Sequence, residues 1–87
     1  MQKKAGIIGL GLIGGSIGLA LRELGWSVVG SDTDESRTDE AIEIGAIDQV
    51  GSMEGADIVF VATPVAAIAK SVQQAIDQGA SVVTDVG

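Results

Sequence analysis

The chain has 87 residues, of which 46% are hydrophobic and 2% aromatic, and its net charge is −7. This length suits one small domain, the apolar content argues against disorder, and the acidic balance argues against nucleic acid or an anionic membrane as partner. The absence of cysteine and histidine excludes disulfides and thiolate chemistry, and it removes the commonest general base and metal ligand.

Short apolar segments alternate with amphipathic ones along the chain. Ile13, Ile17 and Leu21 recur at helical spacing, and Gly25 and Gly45 stand where helices end. In chain order, the predicted elements are a strand over 4–9, a helix over 13–24, a strand over 27–31, a helix over 35–44 capped by Asp34, a short strand over 47–50, a strand over 57–62, a helix from Thr63-Pro64 to Gly79 and a strand over 81–86.

This alternation predicts a parallel sheet whose helices cover its faces. The expected fold class is therefore α/β, a Rossmann-type doubly wound sheet of about five strands with helices on both faces. The strand over 57–62 does not alternate between apolar and polar residues, so we expect it to be buried on both faces.

The beginning of the chain has a second interpretation. Lys3 and Lys4 precede an uncharged run over 5–21, as in a signal peptide or a marginal membrane span. Six residues of that run are glycine, and it continues into RELGW without a small-residue cleavage site. We therefore expect neither secretion nor membrane insertion.

Gly9, Gly11 and Gly14 form a G-x-G-x-x-G pattern between a predicted strand and a predicted helix. In a dinucleotide-binding turn the first glycine permits the turn, the second lets the backbone approach a pyrophosphate, and the third permits close helix packing. The pyrophosphate then rests on N–H groups at the helix N-terminus. The alternative is that glycine serves packing alone, which is what we expect of Gly15 and Gly18.

Asp32 ends the second predicted strand, eighteen residues after Gly14. An acidic residue at about this distance binds the ribose 2′-hydroxyl in dinucleotide-binding folds. Its charge would repel a 2′-phosphate, Asp34 would add to the repulsion, and residue 33 is Thr rather than arginine. The pattern favours NAD over NADP. The alternatives are a solvated turn aspartate at 32 and a helix cap at 34.

Two further segments lie at the ends of predicted strands. VATP, over 61–64, closes the strand expected next to the first one, and its small residues leave room for a ribose. TDVG, over 84–87, lies at the end of the last predicted strand, a position that would face the nicotinamide half of a cofactor. Either segment can equally be an ordinary turn or cap. We find no cluster of metal ligands and no paired-carboxylate site in the sequence.

Five segments resemble the N-terminal domain of prephenate dehydrogenase and its arogenate and cyclohexadienyl relatives. They are IIGLGLIGGS, VVGSD, GAID, ATP and VTDVG, and the resemblance covers essentially the whole chain. It implies a cytoplasmic oxidoreductase of tyrosine biosynthesis, which passes hydride from prephenate or arogenate to NAD with loss of carbon dioxide.

The resemblance also implies a set of cofactor-binding residues. The glycines and the backbone N–H groups after them would hold the pyrophosphate, Asp32 the adenosine ribose, and the ATP segment the part between ribose and nicotinamide. The residues are Gly9, Gly11, Leu12, Ile13, Gly14, Asp32, Ala62, Thr63 and Pro64.

The chain lacks several residues that the family has. The family's catalytic histidine and substrate-binding arginine lie downstream, and the serine after DVG is missing here. We expect a truncated NAD-binding domain without catalytic residues of its own, in which an uncovered strand over 81–86 promotes self-association as a homo-oligomer. The alternatives are a stand-alone NAD-binding module, a domain of another 2-hydroxyacid or 6-phosphogluconate-type dehydrogenase, and a Rossmann domain for a flavin or a methyl donor.

Overall fold

A computed structural model describes residues 3–62, 76–77 and 83–85 of the chain. The predicted order of elements is confirmed within these residues. The elements are β1 (Lys4–Ile8), α1 (Leu12–Glu23), β2 (Ser27–Ser31), α2 (Glu35–Ile44), β3 (Gln49–Val50), β4 (Ile58–Val61) and β5 (Val83–Asp85). The predicted helix start at Thr63-Pro64 lies outside the described residues, whereas residues 76–77, within that predicted helix, are helical.

The five strands form one parallel sheet in the order β3-β2-β1-β4-β5. This arrangement confirms the predicted Rossmann-type sheet. Strand β1 is central, with β2 on one side and β4 on the other, and Ile8 at its end is in register with Ser31 and Val61. The turn after β1 therefore emerges where the strand order reverses, which is the position at which open α/β sheets bind ligands.

The core consists of two apolar layers, one on each face of the sheet. The first lies under α1 and α2 and contains Ile7, Leu10, Val28, Ala41, Ala46 and Ile47. The second contains Ile8, Val29, Met53, Ala56, Val59 and Val61. Met53 and Ala56 belong to the connection before β4, so this loop covers part of the second face. The helix predicted after β4 falls largely outside the described residues.

The predicted burial of the fourth strand on both faces is wrong. Val59 and Val61 are buried, but Ile58 and Phe60 between them are only half-buried. Helix α1 packs mainly on β1 and β2, so it covers the same face of β4 incompletely. The third strand is also shorter than predicted, because Ile47 belongs to the core under α2 instead of the sheet.

Asp48 joins α1, β2 and the loop before β3. Its Oδ2 accepts a hydrogen bond from the Val28 amide at 2.7 Å, and its Oδ1 lies 3.0 Å from Nη2 of Arg22. Arg22 also donates from Nη1 to the Gly45 carbonyl at 2.8 Å. The aspartate of the GAID segment is therefore a structural residue at the far end of α1 from the glycine turn.

Asp48→Ala is expected to lower the free energy of unfolding by about 2 kcal/mol, because it leaves the amide of fully buried Val28 without its acceptor. Asp48→Asn keeps an oxygen for that amide and removes only a half-exposed ion pair, which is worth under about 1 kcal/mol. Urea denaturation of the two variants measures the difference. Equal losses would show that the ion pair, and not the hydrogen bond, is the larger contribution.

Candidate functional site

Two of the three glycines in the turn are required by the fold itself. Gly9 has φ +97°, in the left-handed region that favours glycine, and its amide donates to the Ser31 carbonyl at 2.8 Å. A Cβ built on Gly14 would collide with the Gly9 carbonyl oxygen and lie 3.2 Å from Cγ2 of Ile7. The tight turn and the close approach of α1 to β1 therefore both need glycine.

Neither backbone conformation nor packing requires glycine at position 11. Its φ of −74° is accessible to any residue, and a Cβ there would make only an ordinary contact, 3.6 Å from Nη1 of Arg37. It is the N-cap of α1 and has no side chain to cap the helix. The N–H groups of Leu12, Ile13 and Gly14 have no acceptor within the helix, so each of them requires an acceptor from outside it.

The N-terminus of α2 differs from that of α1, because it has a side-chain cap. Asp34 caps α2, since its Oδ1 accepts hydrogen bonds from the Ser36 amide at 2.9 Å and the Ser36 hydroxyl at 2.7 Å. The Ser36 hydroxyl, and then its amide, hold the pKa of Asp34 below the ordinary value. Glu35 adds an acidic residue to the first turn of α2, whereas the first turn of α1 has none. The cap predicted at Asp34 is confirmed, and α1 has the N-terminus better suited to an anion.

The packing role predicted for Gly18 is confirmed, and the one predicted for Gly15 is wrong. A Cβ on Gly18 would collide with the Ala46 carbonyl oxygen, whereas a Cβ on Gly15 would meet nothing within 4 Å. Gly15 instead faces a groove of about 370 Å³ between α1 and α2. The groove begins at Gly11 and runs past Arg37.

Asp32 lies at the end of β2 and fastens the glycine turn. Its Oδ2 accepts from the Leu10 amide at 2.7 Å and its Oδ1 from the Asp34 amide at 2.9 Å. The side chain is only 7% exposed, so the alternative of a solvated turn aspartate is wrong. Each carboxylate oxygen has a second lone pair, so Asp32 keeps acceptor capacity beyond these two bonds.

Arg37 is the residue of this site that the sequence analysis missed. Its Nη1 lies 3.9 Å from Oδ2 of Asp32, and its side chain is 55% exposed. An arginine that neighbours the acidic residue is expected directly after it in the sequence, whereas Arg37 follows Asp32 by five residues, in the first turn of α2. The predicted cap at Asp34 is the signal that places residue 37 in that turn, beside the end of β2.

The site also includes the end of β4. The Ala62 amide donates to the Ile8 carbonyl at 2.8 Å, which brings Ala62 next to the glycine turn. The predicted site residues within the described part of the chain are thus brought together, and Thr63 and Pro64 lie outside it. In the same described part, no acidic cluster suits a metal ion and no helix has the length and apolarity to cross a membrane.

Comparison with known proteins agrees with this geometry. The family model described as prephenate dehydrogenase, nucleotide-binding domain, matches residues 17–87. The structure of Synechocystis arogenate dehydrogenase is similar with a TM-score of 0.83 and 31% identity, over 97% of this chain and 32% of that one.

Two structures with lower sequence identity show the same fold. Prephenate dehydrogenase from A. aeolicus, in complex with hydroxyphenyl propionate and NAD+, has a TM-score of 0.79 and 24% identity over 98% of this chain and 33% of that one. Mycobacterium tuberculosis 3-hydroxyisobutyrate dehydrogenase, with L-serine, has a TM-score of 0.85 and 21% identity over 98% of this chain and 31% of that one. This chain therefore spans about a third of each of these proteins, and it belongs to the family of the prephenate dehydrogenase nucleotide-binding domain.

Proposed function

We propose that this chain is the NAD-binding domain of a dehydrogenase that oxidises prephenate or arogenate. The observation that carries the proposal is Gly11, whose missing side chain serves neither the backbone conformation nor the packing of the protein. A glycine at the uncapped start of α1 is explained when a ligand approaches the backbone there. The matching family and the NAD+ present in the A. aeolicus structure support a dinucleotide as that ligand.

The arrangement of Gly11, Asp32 and Ala62 supports a dinucleotide bound across the carboxyl ends of β1, β2 and β4. The N–H groups of Leu12, Ile13 and Gly14 would hold the pyrophosphate. Asp32 would accept hydrogen bonds from the ribose hydroxyls through its remaining lone pairs, and its negative charge favours NAD over NADP. Ala62, with Thr63 and Pro64, would line the cofactor between ribose and nicotinamide. The nicotinamide, when bound, supplies the hydride acceptor.

The substrate assignment is supported by the arogenate dehydrogenase at 31% identity and by the matching family. We place the catalytic groups in the two thirds of such an enzyme that this chain does not span, since the chain contains no histidine. Three further expectations come from the family resemblance and stay predictions. They are participation in tyrosine biosynthesis, a cytoplasmic location and assembly into a homo-oligomer.

Gly11→Ala is expected to lower the free energy of unfolding by about 1 kcal/mol, because alanine is a poorer N-cap than glycine. It is expected to weaken NAD+ binding at least tenfold, because the new methyl group occupies the space of the pyrophosphate. Calorimetric titration with NAD+ measures the binding, and urea denaturation measures the stability. Gly15→Ala, four residues along, is the matched control and is expected to bind NAD+ as the wild type does.

Equal NAD+ binding by wild type and Gly11→Ala would exclude this turn as the cofactor site. A wild-type chain that fails to bind NAD+ would refute the proposal for this domain. Parallel titrations with FAD and S-adenosylmethionine test the alternative nucleotides, and tighter binding of either one would assign the turn to that ligand.

A further inference from the structure

The groove between α1 and α2 is lined by large apolar side chains that the fold leaves exposed. Leu12 and Leu19 of α1 are 93% and 42% exposed, and Ile44 of α2 is 52% exposed. None of the three belongs to either core layer. An apolar side chain scattered singly on a surface is ordinary, whereas several along one groove are typical of a surface that binds another protein.

The face of α1 that lines the groove is symmetric about its own centre. Its residues Leu12, Gly15, Ser16 and Leu19 recur at helical spacing, so their sizes run large, small, small, large. The Ser16 hydroxyl donates to the Leu12 carbonyl at 2.7 Å, so its polar group is satisfied within the helix. When two such faces meet antiparallel, each Leu12 packs on Leu19 of the other copy, and the small residues meet where the helices cross.

The face of α2 that lines the groove carries two opposite charges. Arg37 and Glu40 are neighbours on this helix surface, three residues apart, and both lie on the rim of the groove. In the described part of the chain, Glu40 forms no ion pair, and that of Arg37 with Asp32 spans 3.9 Å, the outer limit of such a contact. A two-fold axis places residue i against residue j and j against i, so Arg37 and Glu40 would pair twice.

We propose that this groove is the contact surface of a two-fold symmetric dimer, and that its occupant is a second copy of this chain. The apolar side chains supply the affinity, and the paired charges set the antiparallel orientation. A strongly basic or acidic partner would match only one of the two charges on the rim, whereas a second copy matches both.

The proposal assigns self-association to the two helices instead of the strand predicted over 81–86. It does not depend on the proposed cofactor. The net charge of −7 makes two copies repel each other at long range, so the dimer is weak and forms as the protein concentration rises.

Exchange of the two charges tests the pairing. Sedimentation velocity of the wild type, up to about 1 mM, is expected to show a monomer–dimer equilibrium. Arg37→Glu and Glu40→Arg, each alone, place like charges opposite each other and are expected to raise the dissociation constant of the dimer at least tenfold. An equimolar mixture of the two variants, and the double variant by itself, are expected to dimerise within about threefold of the wild type, because opposite charges meet again.

Leu19→Gln tests the apolar contact and is expected to raise the same dissociation constant at least tenfold. Leu24→Gln is the matched control, because Leu24 follows the same helix, is 76% exposed and lies outside the groove. It is expected to dimerise within about twofold of the wild type. Circular dichroism checks that each variant keeps its helices.

A wild type that stays monomeric at about 1 mM would overturn the proposal. A dimer that Leu19→Gln leaves intact would do the same, since it would use another surface, such as the edge of β5. If neither the mixture nor the double variant regained dimerisation, the two-fold pairing of Arg37 with Glu40 would be wrong. A wild type that dimerises as expected but fails to bind NAD+ would refute the proposed function alone.

Discussion

Gly14→Ala is expected to lower the free energy of unfolding by about 3 kcal/mol, near the upper end of the cost of overpacking a tight core. The added methyl group would meet the Gly9 carbonyl oxygen and Cγ2 of Ile7. A backbone carbonyl cannot rotate away as a flexible side chain can, so α1 must shift off β1. That shift also displaces the N–H groups at the start of α1, and NAD+ binding should be lost together with stability.

The adjacent glycine provides the control on the same helix. A Cβ on Gly15 meets nothing within 4 Å, and alanine is a better helix former than glycine by about 0.5–1 kcal/mol. Gly15→Ala is therefore expected to be neutral or stabilising. Urea denaturation of both variants measures the contrast. If they lost equal stability, the close approach of Gly14 to the turn would not be the reason for glycine there.

Asp32→Ala is expected to lower the free energy of unfolding by about 2 kcal/mol, because it leaves the buried Leu10 amide without its acceptor. It is also expected to weaken NAD+ binding at least tenfold, since both the proposed ribose acceptor and the anchor of the turn are lost. NADP+ binding should not improve, because a loosened turn holds the pyrophosphate poorly. Calorimetric titration and urea denaturation measure the two effects.

Asp57→Ala is the matched control for this variant. Asp57 also accepts a backbone N–H through a carboxylate oxygen, from Lys4 at 2.9 Å, but at the opposite end of β1. We expect Asp57→Ala to lower the free energy of unfolding and to leave NAD+ binding unaltered. If Asp32→Ala bound NADP+ more tightly than the wild type, charge repulsion would be the main role of Asp32, and the anchoring of the turn would be secondary.

Much of this fold was predictable from local patterns. The tight turn at Gly9, the close packing at Gly14, the cap at Asp34 and the position of Asp32 depend on residues close together in the chain, and these local structural predictions are confirmed. The incomplete burial of β4 was not predictable in this way, because it depends on which strands α1 covers. The open space at Gly15 depends likewise on the distance between two helices.

The roles of Arg37 and Asp48 were also not predictable from the sequence. Each looks like an ordinary surface charge in the sequence, and each acquires its role from a partner on another element. Arg37 lies near Asp32 because α2 starts beside the end of β2, and Asp48 reaches Val28 because the loop after α2 returns to the same strand. Such long-range contacts leave no periodic pattern in the sequence.

The double attachment of Asp32 has a consequence for how cofactor preference can change over evolution. A carboxylate that fastens the Leu10 and Asp34 amides cannot be replaced without loosening the turn, so drift at this position is costly whichever cofactor is selected. Residue 37, on the exposed side of α2, has no comparable structural role within the domain. Descendants of this domain should therefore vary more readily at position 37 but keep an acceptor for the Leu10 amide at position 32, whichever cofactor they use.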